Sequence, residues 1–298
     1  MNTDVVYRER KDLIFKWIFK ITGLLVIFIL GGIFLMLIWN TFAFFFQFSP
    51  LDFISGTQWN PSALNPKYGI LPLIVSTSIV TLGSMAIAVP LGIGTATFPS
   101  EYCPPKLKAF LKPAIEMLAA IPSVAIGFLG IVLLGPNIAE ITNQANGLNA
   151  INGAILLAIM ALPTIITVSE DAINSVPKNY REASYGVGAD KWQTVRKIII
   201  PAAAPGIIAA IMLGIGRAIG ETMTVLMVTG NAAAFPKSFF DSVRTITATI
   251  AIEMGEVPYN TTHYYALYAI AAVLFFMTLA TNLIGEYFVN KFRKYHAM

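Results

Sequence analysis

The sequence predicts an all-α integral membrane protein with six transmembrane helices. Fifty-six per cent of its 298 residues are hydrophobic, only 12% are charged, and the mean hydropathy is +0.69. A soluble domain carries charge on about a quarter of its residues. The single cysteine, Cys103, excludes a disulfide scaffold, and the presence of only two histidines argues against a histidine-rich metal centre. No metal site is therefore expected.

Six apolar stretches alternate with polar loops, and each is about long enough to cross a bilayer. Their predicted ranges are 18–46, 69–98, 113–134, 151–168, 202–228 and 264–288. The first is longer than the apolar segment of a signal peptide and no cleavage pattern follows it, so we expect it to be retained. The chain is accordingly divided into an N-terminal region over 1–68, a five-helix core over 69–290 and a tail over 291–298.

The basic residues sort to one side of the predicted helices. Sixteen Lys and Arg residues lie in the two tails and in loops 98–112 and 170–200, whereas the opposite loops hold three. Those three are Lys67, Lys237 and Arg244. Because loops rich in Lys and Arg stay in the cytoplasm, both termini and the 170–200 loop are predicted to be cytoplasmic. This arrangement accounts for the net charge of +4 without a nucleic-acid partner.

The loop between the fourth and fifth predicted helices carries a spaced motif. It reads EASYGVGADKWQTVRKIIIP, from Glu182 to Pro201. It resembles the EAA-x3-G-x9-I-x-L-P loop of ABC importer permeases, with Ser184 in place of an alanine and Ile200 in place of a leucine. The matching positions in this chain are Glu182, Ala183, Ser184, Gly188, Ile198 and Pro201.

That resemblance implies a type I permease fold of the MetI-like kind, with a coupling helix in a loop over about 173–201. In that family the helix docks in a cleft of a separate ATPase, so we expect it to pass movement to the third, fourth and fifth spans. Pro177 suits a helix N-terminus and Gly188 permits a sharp bend. The alternative is an ordinary polar loop. Since this chain has no P-loop, ATP and Mg²⁺ are expected on the partner ATPase, with no cofactor and no catalytic residue here.

Two charged residues interrupt the fifth predicted helix. Arg217 lies 16 residues past Pro201, which is roughly 24 Å along an α-helix. A charge at such depth costs at least about 2.5 kcal/mol unless it faces protein or water. Glu221 follows four residues later on the same predicted helix face, where the two side chains can pair. They are interpreted either as a structural ion pair or as charged elements of the translocation path.

Three further features are candidates for a gate or for helix packing. Gly216 and Gly220 form a GxxxG face that suits either packing within the chain or the seam with a second permease. Glu116 is expected in the first turn of the third helix, where a carboxylate complements the helix dipole, or alternatively at a gate. Pro122 is expected to interrupt that helix.

Several polar residues near the predicted membrane boundaries are not assigned chemistry. Glu253 and Glu256 are interpreted as solvated or helix-end carboxylates rather than an acid–base pair. His263 is interpreted as interfacial, and the segment 169–171, Ser-Glu-Asp, simply closes the fourth helix beside the motif loop.

Longer stretches narrow the resemblance. They are YGILPLIVSTSIVTLGSMAIAVPLGIGTATFPSEY, which ends at Tyr102, EMLAAIPSVAIGFLG, which begins at Glu116, and GRAIGETMTVLMVTGN, which begins at Gly216. These resemble the PstC family of phosphate-importer permeases. The resemblance implies a second, PstA-like permease, two copies of a PstB-like ATPase and a PstS-like phosphate-binding protein outside the cell, in addition to membrane lipid. Two alternatives stay open: a permease for another oxyanion, such as molybdate or sulfate, and a transporter that works without ATP.

Overall fold

The computed structural model describes the backbone of residues 3–296 and the side chains of residues 12–292. The helices are α1 (Thr3–Phe45), α2 (Pro50–Ser55), α3 (Leu71–Thr97), α4 (Pro105–Ala119), α5 (Ser123–Leu129), α6 (Gly135–Thr142), α7 (Ala150–Asn174), α8 (Lys178–Gly186), α9 (Lys191–Thr194), α10 (Ile200–Gly220), α11 (Met223–Val228), α12 (Ile246–Glu253) and α13 (Thr262–His296). Three π-helical segments interrupt them: π1 (Phe98–Tyr102), π2 (Gly130–Leu134) and π3 (Val195–Ile199). Two short strands, β1 (Trp59–Asn60) and β2 (Lys67–Tyr68), pair in antiparallel fashion. Five basic residues of the predicted tails lie outside the described side chains: Arg8, Arg10, Lys11, Arg293 and Lys294.

Within the described residues, six helical stretches are long and apolar enough to cross a membrane. They are Asp12–Phe45, Leu71–Tyr102, Ser123–Thr142, Ala150–Asn174, Lys191–Gly220 and Thr262–Phe292. The prediction of an all-α protein with six spans is therefore confirmed. The end of this bundle that carries α8 and α9 is called the motif face, and the other end is called the opposite face.

The bounds of the third and fifth spans differ most from those expected. The third begins at Ser123, because Pro122 has no amide hydrogen and disfavours helical geometry in the residue before it. The residues from 113 to 119 belong instead to α4. The fifth span does not run unbroken to 228, since α10 ends at Gly220 and α11 begins separately at Met223.

The centre of the molecule is the packing of α7 against α3 and α10. Small residues allow this close approach, because a methyl group added at Gly92 or Gly214 would lie 2.6 or 2.8 Å from the Ile165 side chain. Ile165 is completely buried. Truncating such a residue to alanine costs about 2–5 kcal/mol, so this contact is a major determinant of how the three helices sit.

An aromatic cluster closes the opposite face over the start of α3 and α13. The Phe44 ring lies 5.2 Å from Phe53 and 5.6 Å from Tyr68, measured between centroids. Tyr68 also pairs across the strands with Trp59. Burial raises the pKa of Tyr68 above its ordinary value of 10.0, so this hydroxyl stays protonated at neutral pH.

The first helix packs little against the rest of the bundle before it reaches that cluster at Phe44. None of the most apolar part of α1 is buried within the chain, and its main partner is α13. The Phe34 and Phe275 rings are 5.4 Å apart, and the Thr41 hydroxyl donates to the Tyr268 carbonyl oxygen at 3.3 Å. These contacts attach α1 along one side only.

Candidate functional site

The motif loop folds as two short helices joined by a tight turn. α8 starts directly after Pro177, whose fixed φ prepares the first helical turn. Gly188 follows α8 with a φ of +85°, a conformation that side chains disfavour. Asp190 then caps α9, because its carboxylate accepts from the Gln193 amide at 2.7 Å while the Gln193 side chain accepts from the Asp190 amide. The sequence thus sets both helix starts and the reversal between them.

Ser184 holds the two short helices together. It is buried, and its hydroxyl lies 2.8 Å from that of Thr194 on α9. Alanine, which the family motif has here, offers no such bond. This departure from the motif therefore contributes a specific contact within the loop.

The remaining motif residues face outward. Those exposed are Glu182, Ala183, Ile198 and Pro201. A shallow cavity of about 430 Å³ lies between α8 and π3, with Ala183 and Ile198 in its wall. Glu182 makes no hydrogen bond or ion pair with the described residues. The outer surface of α8 is consequently not covered by any other part of the chain that the structure describes.

Arg181, which the sequence interpretation missed, anchors α8 from its inner side. Its Nε lies 3.1 Å from the Glu101 carboxylate on π1, and a second guanidinium nitrogen contacts the same oxygen. The guanidinium also donates to the carbonyl oxygens of Val176 at 2.7 Å and Ile173 at 3.2 Å. The signal in the sequence was a lone glutamate beside an otherwise basic loop, with two spans between it and an arginine.

A second ion pair joins α4 to the end of α7. Lys108 Nζ lies 3.0 Å from Glu170 Oε1, and the Glu170 side chain is only 4% exposed. A looser contact of 3.9 Å joins Lys112 to Asp171. The acidic segment that closes the fourth span therefore fixes α4 in place.

Arg217 and Glu221 do not form the predicted ion pair. Arg217 is exposed on α10 and has no hydrogen-bond or ion-pair partner among the described residues. Glu221 has left the helix, with ψ at 131°. Its carboxylate accepts from the Thr224 amide at 3.3 Å and its carbonyl oxygen from the Thr247 hydroxyl at 2.8 Å. The prediction was wrong because four-residue spacing aligns side chains only within one continuous helix.

The glycines around Arg217 are also unpacked within the chain. A methyl group added at Gly216 or Gly220 would meet no atom of the described residues within 4 Å, whereas one added at Gly214 would contact Ile165. The expectation of packing inside the chain is therefore wrong for the two GxxxG positions. The seam with a second permease stays a prediction.

The two candidates near the start of the third span, Glu116 and Pro122, have different outcomes. Glu116 is exposed near the C-terminal end of α4, not in a first turn, so the expected dipole contact is wrong. Its role at a gate stays a prediction. Pro122 lies in the break between α4 and α5, where it was expected to interrupt the helix.

Glu253 is the centre of a polar cluster at the opposite face. Its carboxylate accepts from Trp59 Nε1 at 3.1 Å and Arg244 at 3.0 Å, and it contacts His263 Nε2 at 2.8 Å. Glu253 is the last residue of α12, in agreement with its interpretation as a helix-end carboxylate, but only 13% of its side chain is exposed, so it is not a solvated one. Glu256 is exposed, in agreement with that expectation.

A family model places the chain among known proteins. The family described as "Binding-protein-dependent transport system inner membrane component" matches residues 88–294. The chain belongs to this family.

Curated relatives of this chain are consistent with its membership of that family. The "Probable ABC transporter permease protein YqgH" of Bacillus subtilis is 42% identical, covering 82% of this chain and 79% of its own. The "Phosphate transport system permease protein PstC" of Mesorhizobium japonicum is 34% identical, covering 94% of this chain and 90% of its own. The resemblance to PstC is thus confirmed, and the chain is an ABC importer permease.

Solved structures show the same fold. A chain of the alginate importer superposes with a TM-score of 0.65 at 16% identity, covering 95% of this permease and 99% of that chain. A chain of the inward-facing methionine importer MetNI superposes with a TM-score of 0.58 at 20% identity, covering 75% and 97%. The type I, MetI-like fold that the motif implied is therefore confirmed.

Proposed function

We propose that this permease imports inorganic phosphate, as one of two membrane subunits of an ATP-driven transporter. The observation that carries the proposal is the similarity to PstC, which extends over 94% of the chain. The exposed Arg217 adds chemical support. Its guanidinium offers paired N–H donors that match two oxygens of a tetrahedral oxyanion.

The motif face is assigned to the cytoplasm, and both termini with it. Eight of the basic residues counted in the sequence lie in loops 98–112 and 170–200, at the ends of the spans that form this face. The opposite face holds only Lys67, Lys237 and Arg244 among the described residues, and Arg244 is paired with Glu253. Such an asymmetry favours the motif face as the inner one.

The partners follow from this orientation. A PstB-like ATPase, present in two copies and holding ATP and Mg²⁺, docks on the exposed side of α8, where Glu182 and Ala183 are free. A PstA-like permease covers the stripe of Gly216 and Gly220, against which no residue between 12 and 292 packs. A PstS-like phosphate-binding protein docks on the opposite face. This chain itself holds no cofactor and catalyses no reaction.

Transport then depends on movement of α8. Closure of the ATPases displaces α8, and the bundle opens toward the binding protein, which releases phosphate into a path that passes Arg217. Hydrolysis of ATP then returns the bundle to the state that is open toward the cytoplasm. For the two sites to be coupled, each state must differ in contacts at both of them.

The test is uptake of labelled phosphate by cells that lack this chain and carry it on a plasmid. We expect Arg217→Gln to lower uptake by at least about tenfold, because a charge-assisted hydrogen bond contributes about 1.5–3 kcal/mol. Arg217→Lys should retain part of the activity, and Lys197→Gln, which removes an exposed cation from the same span, should retain nearly all. Each variant is checked for normal amounts of assembled complex.

Two outcomes would contradict the proposal. Uptake by Arg217→Gln at the wild-type rate would show that Arg217 does not contribute to the phosphate path. Uptake into vesicles that is inhibited by molybdate or sulfate as strongly as by phosphate, or that proceeds without ATP, would instead support one of the alternative transporters.

A further inference from the structure

We propose that Arg181 and Lys191 clamp the motif-face end of the second span to the motif loop, so that α8 and π1 move as one body. The proposal rests on the proposed role of α8 as the ATPase contact. It adds the second span to the route of movement, which the motif alone directs to the third, fourth and fifth spans.

Arg181 supplies the first half of the clamp. Its side chain is 19% exposed and that of Glu101 is 6% exposed, so the ion pair is largely shielded from water. Charges attract more strongly in such a low-dielectric environment, and separating the pair would leave a buried carboxylate alone. The same guanidinium binds the carbonyl oxygen of Ile173 in the last turn of α7, where helices have unpaired acceptors. One side chain therefore joins α7, α8 and π1.

Lys191 supplies the second half, from the other end of the loop. Its Nζ lies 4.9 Å from the centroid of the Tyr102 ring, within the range of a cation–π interaction. Tyr102 is the neighbour of Glu101, so two adjacent residues of π1 are held by cations from both sides of Gly188. Two attachment points resist rotation as well as separation, which one alone would not.

The second span carries a displacement across the molecule. π1 continues α3 without a break, and α3 packs against α7 at positions that include Gly83 and Gly92. At the opposite face, the Thr77 hydroxyl of α3 accepts from the Ile246 amide, the first residue of α12, at 3.1 Å. Movement of π1 is thus connected through one continuous helix to the opposite face, where the binding protein is proposed to dock.

The first experiment measures the clamp without any transported substrate. Spin labels are placed at Phe98 on π1 and Lys178 on α8, in an importer whose Cys103 is replaced by serine. We expect the label distance to be the same in the nucleotide-free and ATP-bound complexes. In the double variant Arg181→Gln, Lys191→Gln, the distance should broaden and become nucleotide-dependent. A wild-type distance that changes on ATP binding, or a double variant with an unchanged distance, would overturn the clamp.

The second experiment measures coupling in proteoliposomes that hold the complete importer, as labelled phosphate moved per ATP hydrolysed. We expect this ratio to fall about fivefold or more in Arg181→Gln, the lower end of measured coupling between sites. The exchanged pair Arg181→Glu, Glu101→Arg should restore part of it, which a role in folding alone would not predict. Arg196→Gln, an exposed cation of the same loop, is the control and should keep the wild-type ratio.

The two experiments separate failure of the clamp from failure of the proposed substrate. If the wild-type importer moves no phosphate but hydrolyses ATP, the substrate assignment fails while the label distances still decide the clamp. If phosphate is transported and Arg181→Gln keeps the wild-type ratio, the clamp fails and the phosphate assignment stands.

Discussion

Replacing Glu253 by alanine should destabilise the opposite face far more than its position beside an outer loop suggests. The carboxylate is the shared acceptor for Trp59, Arg244 and His263, which come from three separate segments of the chain. Its removal leaves the Trp59 indole without its acceptor although that side chain is almost fully buried. It also leaves the Arg244 guanidinium without its carboxylate partner.

The magnitude follows from these contacts. Breaking a buried ion pair by removing one partner costs about 3–5 kcal/mol. Arg244 is 22% exposed, so water recovers part of this loss, and we expect about 3 kcal/mol in total. At about 2 °C per kcal/mol for a chain of this size, the midpoint of thermal unfolding should fall by about 6 °C.

The assay is thermal unfolding of the purified permease in detergent, at one fixed scan rate because membrane proteins rarely refold. Glu256→Ala is the matched control, since that carboxylate is exposed only three residues away. It should change stability by no more than about 0.5 kcal/mol. Equal midpoints for the two alanine variants would refute the assignment of Glu253 as a structural centre.

Two further predictions concern glycines, each paired with a control. Gly188→Val should abolish the coupling of ATP hydrolysis to transport while leaving membrane insertion intact, because a φ of +85° strains a branched residue by about 1–3 kcal/mol. The control Gly186→Ala should be tolerated, since position 186 has open space around it and no positive φ. Wild-type transport by the valine variant would contradict the proposed turn. Gly214→Val should lower the unfolding midpoint, since it forces a methyl group against Ile165 at a cost of about 1–3 kcal/mol. Gly216→Val should leave that midpoint unchanged and instead weaken co-purification with the second permease, and the reverse pattern would show that the two faces were misassigned.

The sequence predicted much of the fold because its strongest signals are physical necessities of a membrane protein. Long apolar stretches require helices, since unpaired backbone groups are too costly in hydrocarbon. Similarly, Pro122 and Gly188 predicted the break in the third span and the turn in the loop, because each restricts the backbone directly. The positions of these features could be read without knowing what surrounds them.

The sequence did not predict the contacts between distant segments of the chain. The ion pairs of Arg181 with Glu101 and of Lys108 with Glu170 join residues that are 80 and 62 positions apart. The spacing of residues along the chain does not indicate which distant side chains will pair. The pairing of Arg217 with Glu221 failed because the helix ends between them. The signal for that end in the sequence is Gly220 followed by Thr222, because glycine is common where helices end and threonine directly before they begin.

The π-helical segments at the motif face give these helices a particular mechanical property. Each holds one residue more per turn than an α-helix, and one residue corresponds to about 100° of rotation about the helix axis. Shifting such a segment along the chain therefore twists the stretch it passes over while the backbone hydrogen bonds are exchanged rather than lost. π1 ends the second span, and π3 follows α9 near the start of the fifth. The motif loop contacts both π-helical segments, so a displacement of that loop can be converted into rotation of these helices about their axes.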